Sequence, residues 1–326
     1  MRKIYLFILV ICFINANAQN SYDKISESEK QSMSTSACIT PNGKFLIYGM
    51  MNGVMRTYNI EDASLIQKIP SFNGEITSVS ITPDMKFMVA SSCDSTVKYW
   101  DISYVDPRFS LKGHKGAVMS ACISPDGKFA LSGSKDSQIK YWDLTTQKEI
   151  FSTNAHVGGV FSVLITPDGK NAISGGMDGK IKYWELSTGK VLKTIDAFKS
   201  WVKTICLMPD GKSVLACSFL DKELKLIDLS TSKVLKKFIG HKNNVTTICV
   251  SPDGKYVLSA GSQNNNKIWE FKKWDIATGK EIKTFKGEIK YINSITISPD
   301  GKTAITTGDD DAVKLWNIET GEIIKT

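Results

Sequence analysis

The sequence is poor in the residues and motifs that mark most enzymes and nucleic-acid-binding proteins. It has three histidines in 326 residues, and after residue 18 its only arginines are Arg56 and Arg108. The patterns His-Glu-x-x-His and Gly-x-Ser-x-Gly and the phosphate-binding loop are all missing. These absences argue against an enzyme, and we assign no catalytic, cofactor-binding or metal-binding residues. Asp309-Asp310-Asp311 comes nearest to a cation site, but it lacks the ligand spacing of a calcium loop.

The sequence also lacks an apolar run long enough to cross a membrane near its start. The run from Ile4 to Ile14 has eleven residues, whereas a span needs about twenty. It follows Arg2 and Lys3 and precedes Ala16-Asn17-Ala18, the small-x-small form of an export cleavage site. We therefore expect residues 1–18 to be a bacterial-type signal peptide and the protein to be periplasmic or extracellular. A membrane anchor is the weaker alternative, and lipid attachment at Cys12 would need a smaller residue before it.

A tripeptide recurs along the chain at nearly constant spacing. Its seven copies are mostly Pro-Asp-Gly, lie 42 to 47 residues apart and begin at Pro41, Pro83, Pro125, Pro167, Pro209, Pro252 and Pro299. A second marker, most often Trp-Asp, follows most of these prolines by 17 residues. A period in the forties with four short strands per unit predicts an all-β fold, a seven-bladed β-propeller of four-stranded antiparallel blades.

The third unit shows how one blade is expected to form. Residues 118–124 and 128–134 flank the Pro-Asp-Gly turn and should pair as a hairpin. Residues 138–144 alternate with the period of a strand, and residues 149–153 provide a short fourth strand. We assign the propeller to residues 32–326 and interpret residues 19–31 as an N-terminal tether or an extra outer strand.

Ring closure has two candidates in the sequence. Residues 322–326 match the fourth strand of the seventh unit, whereas residues 22–25 occupy the same register ahead of the first unit. We favour the C-terminal strand.

The positive charge is spread around the predicted ring. The formal net charge is +8, or +6 without Arg2 and Lys3, and one lysine follows the turn in every unit. In five units the turn is Pro-Asp-Gly-Lys, with the aspartate two residues before the lysine. This distribution differs from the basic patch of a nucleic-acid-binding protein, so we expect no nucleic-acid partner.

The cysteines follow the repeat as well. Cys38, Cys122, Cys206 and Cys249 each lie three residues before the repeat proline. Equivalent positions radiate around the axis beyond disulfide reach, so we expect small core residues. A bridge from Cys206 to Cys217 within one blade stays open.

These repeats resemble the WD-repeat propeller family over about nine tenths of the chain. The resemblance rests on Gly113-His114 and residues 132–136 and 139–143, with six degenerate copies elsewhere. It implies a buried structural network of histidine, serine, aspartate and tryptophan in two blades, namely His114, Ser132, Asp136 and Trp142, and His156, Ser174, Asp178 and Trp184. All three histidines precede the repeat proline by eleven residues, which a structural role explains better than catalysis.

Residues that break the repeat are the candidates for function. In the family, partners commonly dock on the face formed by the loops that lead into the first strand and that join the second and third strands. At the channel mouth on this face the seven units present Met33, Glu75, Ala117, Gly159, Trp201, Asn244 and Tyr291. The sixth unit adds an insertion of about five residues that ends near Trp269.

We hypothesise a partner-binding patch over blades five to seven. It consists of Trp201, Tyr291 and Trp269, with Met177 and Asn244 nearby, because surface aromatics are the usual anchors of interfaces. In the alternative, Trp201 and Tyr291 plug the channel mouth and Trp269 packs on its own loop.

The favoured function is a non-enzymatic, exported, monomeric scaffold that binds a protein or peptide partner on one propeller face. One alternative is a secreted enzyme or small-molecule binder that uses the central channel. Another is a carrier module that was once part of a longer chain.

Overall fold

The computed structural model describes residues 34–103, 106–263, 266–286, 292–308 and 313–326. Within these residues the chain forms seven sheets, each made of four consecutive antiparallel strands. The predicted seven-bladed β-propeller is confirmed. The expected signal peptide and the segment 19–31 lie outside the described residues. In the part of the chain given above, no helix has the length and apolar character needed to cross a membrane.

The first strand of each blade packs beside the first strands of both neighbouring blades, so these strands surround the central channel. Blades one to three contain β1 Ser34–Ile39, β2 Phe45–Met50, β3 Val54–Asn59, β4 Leu65–Pro70, β5 Ile76–Ile81, β6 Phe87–Ser92, β7 Thr96–Asp101, β8 Phe109–Lys112, β9 Val118–Ile123, β10 Phe129–Ser134, β11 Gln138–Asp143 and β12 Lys148–Asn154. Blades four to seven contain β13 Val160–Ile165, β14 Asn171–Gly176, β15 Lys180–Glu185, β16 Lys190–Asp196, β17 Val202–Leu207, β18 Ser213–Ser218, β19 Glu223–Asp228, β20 Val234–Ile239, β21 Asn244–Val250, β22 Tyr256–Gln263, β23 Asn266–Asp275, β24 Glu281–Thr284, β25 Ile292–Ile297, β26 Thr303–Gly308, β27 Val313–Asn317 and β28 Ile323–Lys325.

The recurrent tripeptide forms the turn between the first and second strands. In blade three the Ser124 hydroxyl donates to Asp126 Oδ1 at 2.6 Å, and the same oxygen accepts the Lys128 N–H at 3.1 Å. Gly127 takes a φ of +72°, which a residue without Cβ adopts freely. In blade two, Met85 holds the same conformation with a φ of +59°. The tripeptide therefore recurs because its side chains and its glycine build the turn.

The hydrophobic core lies between neighbouring blades rather than inside one sheet. Val89 and Leu111 of blade two, for example, share a cluster with Ala121 and Trp142 of blade three. Each blade thus buries its apolar face against the next, which explains why a repeat unit needs its neighbours.

A ring of hydroxyl groups ties the first strands together. Ser36, Ser78, Ser120 and Ser162 accept the backbone N–H groups of Val79, Ala121, Val163 and Ile205 in the following blade, at 2.7 to 3.3 Å. The same bond closes the ring, because Ser294 Oγ accepts the Ala37 N–H at 3.2 Å. The junction of blades seven and one therefore repeats the bond found at the four junctions between blades one and five.

The outer strand of blade seven is β28, which pairs with β27. The favoured C-terminal strand therefore occupies this position, while residues 22–25 lie outside the described residues. Lys325 on β28 donates to Glu61 O of blade one at 2.8 Å. Lys283 makes the equivalent bond to Glu319 O, and a second bond to Thr320 O, between blades six and seven. Both lysines join the outer strand of one blade to a turn of the next.

All six cysteines in the described residues are free thiols, so Cys206 and Cys217 form no bridge. They lie diagonally on paired strands, since Cys206 faces Leu215 and Cys217 faces Thr204. Burial raises the pKa of Cys217 to about 12. These thiols behave as small buried side chains.

Candidate functional site

Blade three contains a buried chain of four polar side chains. His114 Nδ1 lies 2.8 Å from Asp136 Oδ2, and His114 Nε2 lies 2.8 Å from Ser132 Oγ. The Trp142 Nε1–H donates to the same Ser132 Oγ at 2.9 Å. A neutral imidazole with its proton on Nδ1 satisfies every member: it donates to the carboxylate and accepts the serine O–H, while the serine oxygen accepts the indole N–H.

Blade four repeats this arrangement. His156 lies 2.8 Å from both Asp178 Oδ1 and Ser174 Oγ, and the Trp184 indole donates to Ser174 Oγ at 2.8 Å. The two imidazoles are 1% and 0% exposed. The structure thus places the eight residues in two separate networks, one in each blade. The histidines do not converge on a common cleft.

Blade six builds a similar network with a different carboxylate. His241 Nε2 lies 2.6 Å from Ser259 Oγ, which accepts the Trp274 indole N–H at 2.8 Å. Glu270 Oε2 lies 3.3 Å from His241 Nδ1 and also accepts the Lys242 N–H at 2.8 Å. Sequence spacing did not predict Glu270, because it comes from the third strand, after the insertion that shifts the register.

Blade two replaces the polar chain with aromatic packing. Phe72 stands where other blades have histidine, and its ring packs edge-on against Trp100 with centroids 6.0 Å apart. Ala90 stands in place of the serine, and Trp100 Nε1 is buried without a hydrogen-bond partner. The Lys98 ammonium lies 4.8 Å from the Phe72 centroid.

Acid should weaken the two complete networks. Burial lowers the pKa of both His114 and His156 below the ordinary 6.5, although Asp136 and Asp178 act to raise it. The unfolded chain therefore binds more protons than the folded chain in this range. The stability contributed by the neutral imidazoles is fully present above pH 6.5 and is lost as the pH falls through the folded-state pKa.

We expect the melting temperature to decrease below pH 6.5, and ¹⁵N NMR at pH 6.5 should show His114 and His156 mainly neutral. A matched control is the double variant His114→Phe/His156→Phe, since phenylalanine stands at this position in blades two and five. Its melting temperature should change less between pH 6.5 and 5. A measured pKa at or above 6.5 for either imidazole would contradict this expectation.

The channel wall carries a different set of side chains. Every first strand has a β-bulge near its start, where the register shifts against the second strand. A bulge re-aims the side chain of its extra residue. The seven bulge residues are Thr35, Thr77, Met119, Phe161, Lys203, Thr246 and Asn293.

Four of the bulge residues join neighbouring blades. Thr77 Oγ1 donates to Val118 O at 2.6 Å, and Thr246 Oγ1 donates to Ile292 O at 3.2 Å. Asn293 Nδ2 donates to Ser34 O at 2.9 Å, and Thr35 Oγ1 donates to Ile76 O. Blades three to five hold the other three, Met119, Phe161 and Lys203, so this sector of the wall departs from the repeat.

An aromatic stack stands at the channel mouth in that sector. The Trp201 ring lies between Phe161 and Phe219, with centroids 5.5 Å from each and interplanar angles of 9° and 19°. The Phe219 N–H donates to Trp201 O at 3.0 Å, which holds the two loops of blade five side by side. On these loops Leu220 is 59% exposed, and Val157, on the loop that leads into β13 of blade four, is 81% exposed. We call Phe161, Trp201, Phe219 and Leu220 the aromatic cluster.

The other residues of the hypothesised patch lie as follows. Met177 is the blade-four counterpart of Phe219, and its side chain covers Gly158. Asn244 begins β21 and pairs with Ser262. Trp269 lies half-buried on β23, and Tyr291 is outside the described residues. Among the described residues, the stacked aromatics at the mouth therefore belong to blades four and five.

Sequence reasoning missed Phe161 and Phe219. Comparing the seven bulge residues would have singled out Phe161, because threonine or asparagine occupies this position in four blades.

A lysine lies beside one ring of the aromatic cluster. The Lys203 ammonium lies 5.4 Å from the Phe161 centroid. Desolvation lowers its pKa, which also responds to the charges of Glu75 and Lys135 in blades two and three. Lys203 is the bulge residue of β17, one of the strands that surround the channel. In the described chain, neither Lys203 nor Lys135 forms an ion pair or a side-chain hydrogen bond, whereas Glu75 accepts the Cys93 thiol at 3.7 Å.

Two cavities lie away from the channel mouth. One of about 270 Å³ opens between blades seven and one, beside Tyr48, Ile305 and Leu315. Another of about 640 Å³ lies between blades two and three, beside Arg108 and Asp126. Within the described residues, no group of three or more histidine, cysteine, aspartate or glutamate side chains could hold a metal ion. Residues 309–311 are outside this part of the chain.

Comparison with protein-family models identifies the repeat. The model described as WD domain, G-beta repeat matches residues 64–101, 105–143, 147–185, 189–228, 232–270 and 279–317. Each window runs from the outer strand of one blade through part or all of the third strand of the next, so six windows fall on a seven-bladed ring. A search of curated proteins finds no match.

Proposed function

We propose that this chain, which belongs to the WD-repeat family, is a non-enzymatic scaffold for a protein or peptide partner. Propellers of this family commonly serve as protein-interaction scaffolds. The partner binds the face formed by the loops that lead into the first strands and that join the second and third strands. The features of residues 1–18 support export, so the scaffold acts in the periplasm or outside the cell, as a monomeric propeller.

The aromatic cluster is the observation that carries this proposal. Three stacked rings stand at the channel mouth, and Leu220 of blade five and Val157 of blade four extend from neighbouring loops into solvent. Aromatic side chains bury a large area at low entropic cost, and they dominate the energetics of interfaces. Phe161 also stands where four other blades place a threonine or asparagine that bonds the next blade, which favours a role outside the frame of the propeller.

The proposal is tested by capture of partners with the immobilised propeller. Residues 19–326 are incubated with the periplasmic or culture fraction, and bound proteins are quantified by mass spectrometry. We expect the double variant Trp201→Ala/Leu220→Ser to reduce specific capture at least tenfold, because interface anchors are worth about 2 kcal/mol or more. The matched control is Leu235→Ser on the outer strand β20, where the leucine is 53% exposed.

The melting temperature of each variant is measured alongside capture. Unchanged capture by the double variant, with a melting curve close to wild type, would exclude this face as the main interface. An equal loss with Leu235→Ser would point instead to non-specific apolar binding.

A further inference from the structure

The Phe161 ring of the aromatic cluster lies close to a positively charged side chain. This ring stacks on Trp201 with a centroid distance of 5.5 Å, and the Lys203 ammonium lies 5.4 Å from the same ring. A ligand that covers the cluster therefore comes close to the ammonium. Lys203 is the bulge residue of β17, which borders the channel, so the charge lies beside the surface that a partner would cover.

The carboxylates around this surface accept hydrogen bonds from neutral groups within the chain and keep their negative charge. Asp136 and Asp178 bind the buried histidines, and Asp221 accepts the Ser218 hydroxyl at 2.5 Å. Glu75 accepts a hydrogen bond from the Cys93 thiol.

The lysines around this surface differ, because they form no ion pairs within the described chain. Lys135, Lys199 and Lys222 are exposed, and Lys203 is half-buried. In the described chain none of the four forms an ion pair. Lys203 is therefore the cation beside the Phe161 ring that is placed to pair with a carboxylate of a partner.

We propose, on the basis of the function proposed above, that the partner presents an acidic residue one or two positions from a large apolar residue. The carboxylate pairs with Lys203 at the channel mouth, and the apolar side chain packs against Trp201, Phe219 and Leu220. Consecutive Cα atoms are 3.8 Å apart, so neighbouring residues of one peptide reach both groups across the single ring of Phe161.

The pairing is favourable because the lysine is already partly desolvated. A charge held away from water without a partner costs free energy, and a carboxylate that arrives there restores the lost interaction. The local environment of low dielectric constant strengthens the attraction relative to a pair in open solvent. Selectivity for an acidic residue thus follows from the position of Lys203 rather than from the net charge of the chain.

The experiment is a selection of random displayed peptides against the purified propeller, residues 19–326. We expect the wild type to enrich peptides with aspartate or glutamate one or two positions from leucine, isoleucine, phenylalanine or tryptophan. Affinity for one enriched peptide should fall at least tenfold with Lys203→Met and remain within about threefold with Lys203→Arg. Lys233→Met, on an exposed turn of the opposite face, is the matched control and should bind as the wild type does.

A double-mutant cycle keeps the test independent of small changes in folding. Replacing the acidic residue of the peptide with its amide should weaken binding to the wild type but not to Lys203→Met. Equal losses on both proteins would overturn the proposed pairing.

The remaining outcomes separate this inference from the proposed function. Enrichment of peptides without acidic residues, abolished by Trp201→Ala, would overturn the inference and leave the scaffold function standing. Enrichment that is unchanged by Trp201→Ala, or no enrichment at all, would count against both the inference and the proposed function. Full competition by free succinate at the concentration of the peptide would show a small-carboxylate site in place of a peptide site.

Discussion

Ser174→Ala is expected to lower the free energy of unfolding by about 3 kcal/mol. Ser174 Oγ bonds both His156 Nε2 and the Trp184 indole N–H, and the serine is 0% exposed. Its removal leaves two buried groups without partners, at about 1–3 kcal/mol each. Urea unfolding monitored by tryptophan fluorescence measures the change.

Ser174→Thr is the matched variant, because Thr306 fills the same position in blade seven and accepts the Trp316 indole N–H at 2.8 Å. It should retain most of the stability lost by the alanine variant. Equal unfolding midpoints for the wild type, Ser174→Ala and Ser174→Thr would show that the network contributes little.

In blade two the bond between the tryptophan indole and a serine hydroxyl is missing and can be added. Ala90→Ser places a hydroxyl beside Trp100 Nε1, which is buried without a partner, and should add about 1 kcal/mol of stability. Ala216→Ser in blade five is the control, because Ile227 stands there in place of tryptophan and offers no N–H group. That change buries an unpaired hydroxyl and should destabilise.

The fold follows from the sequence because each blade repeats the groups that build its turns. The bonds of Ser124 and Asp126 and the positive φ of Gly127 are local, so their spacing along the chain predicts where each hairpin turns. The strand count and the blade order then follow from the number of copies. These turn contacts do not involve distant parts of the chain.

The candidate site is less predictable, because it depends on pairing between strands and between blades. Phe161 and Lys203 face the channel as bulge residues, and a bulge is defined by the register of two strands rather than by one strand. The stack around Trp201 joins two blades, so the residue alone does not identify its partners. Glu270 reaches His241 from a shifted third strand, and no fixed spacing could locate it.

Ile305→Ala is expected to lower the free energy of unfolding by about 2–5 kcal/mol, the range for deleting a buried isoleucine side chain. Ile305 is 2% exposed and packs with Leu46 and Tyr48 across the junction of blades seven and one. The cavity of about 270 Å³ at this junction already includes Ile305 in its wall. The outer strand β28 has only three residues, whereas β16 in blade four has seven.

The matched control is Ile173→Ala, which removes the same side chain from the same strand position between blades four and five, where Ile173 is 0% exposed. Both variants should lose similar stability, because the deleted atoms are equally buried. They should differ in where the ring opens. Hydrogen exchange in Ile305→Ala should accelerate first in β1, β2, β26 and β27, because the junction with a cavity and a short outer strand is the weakest link between neighbours. Uniform acceleration around the ring in both variants would show instead that closure is as strong there as elsewhere, and that the serine and lysine bonds across the junction make up for the missing packing.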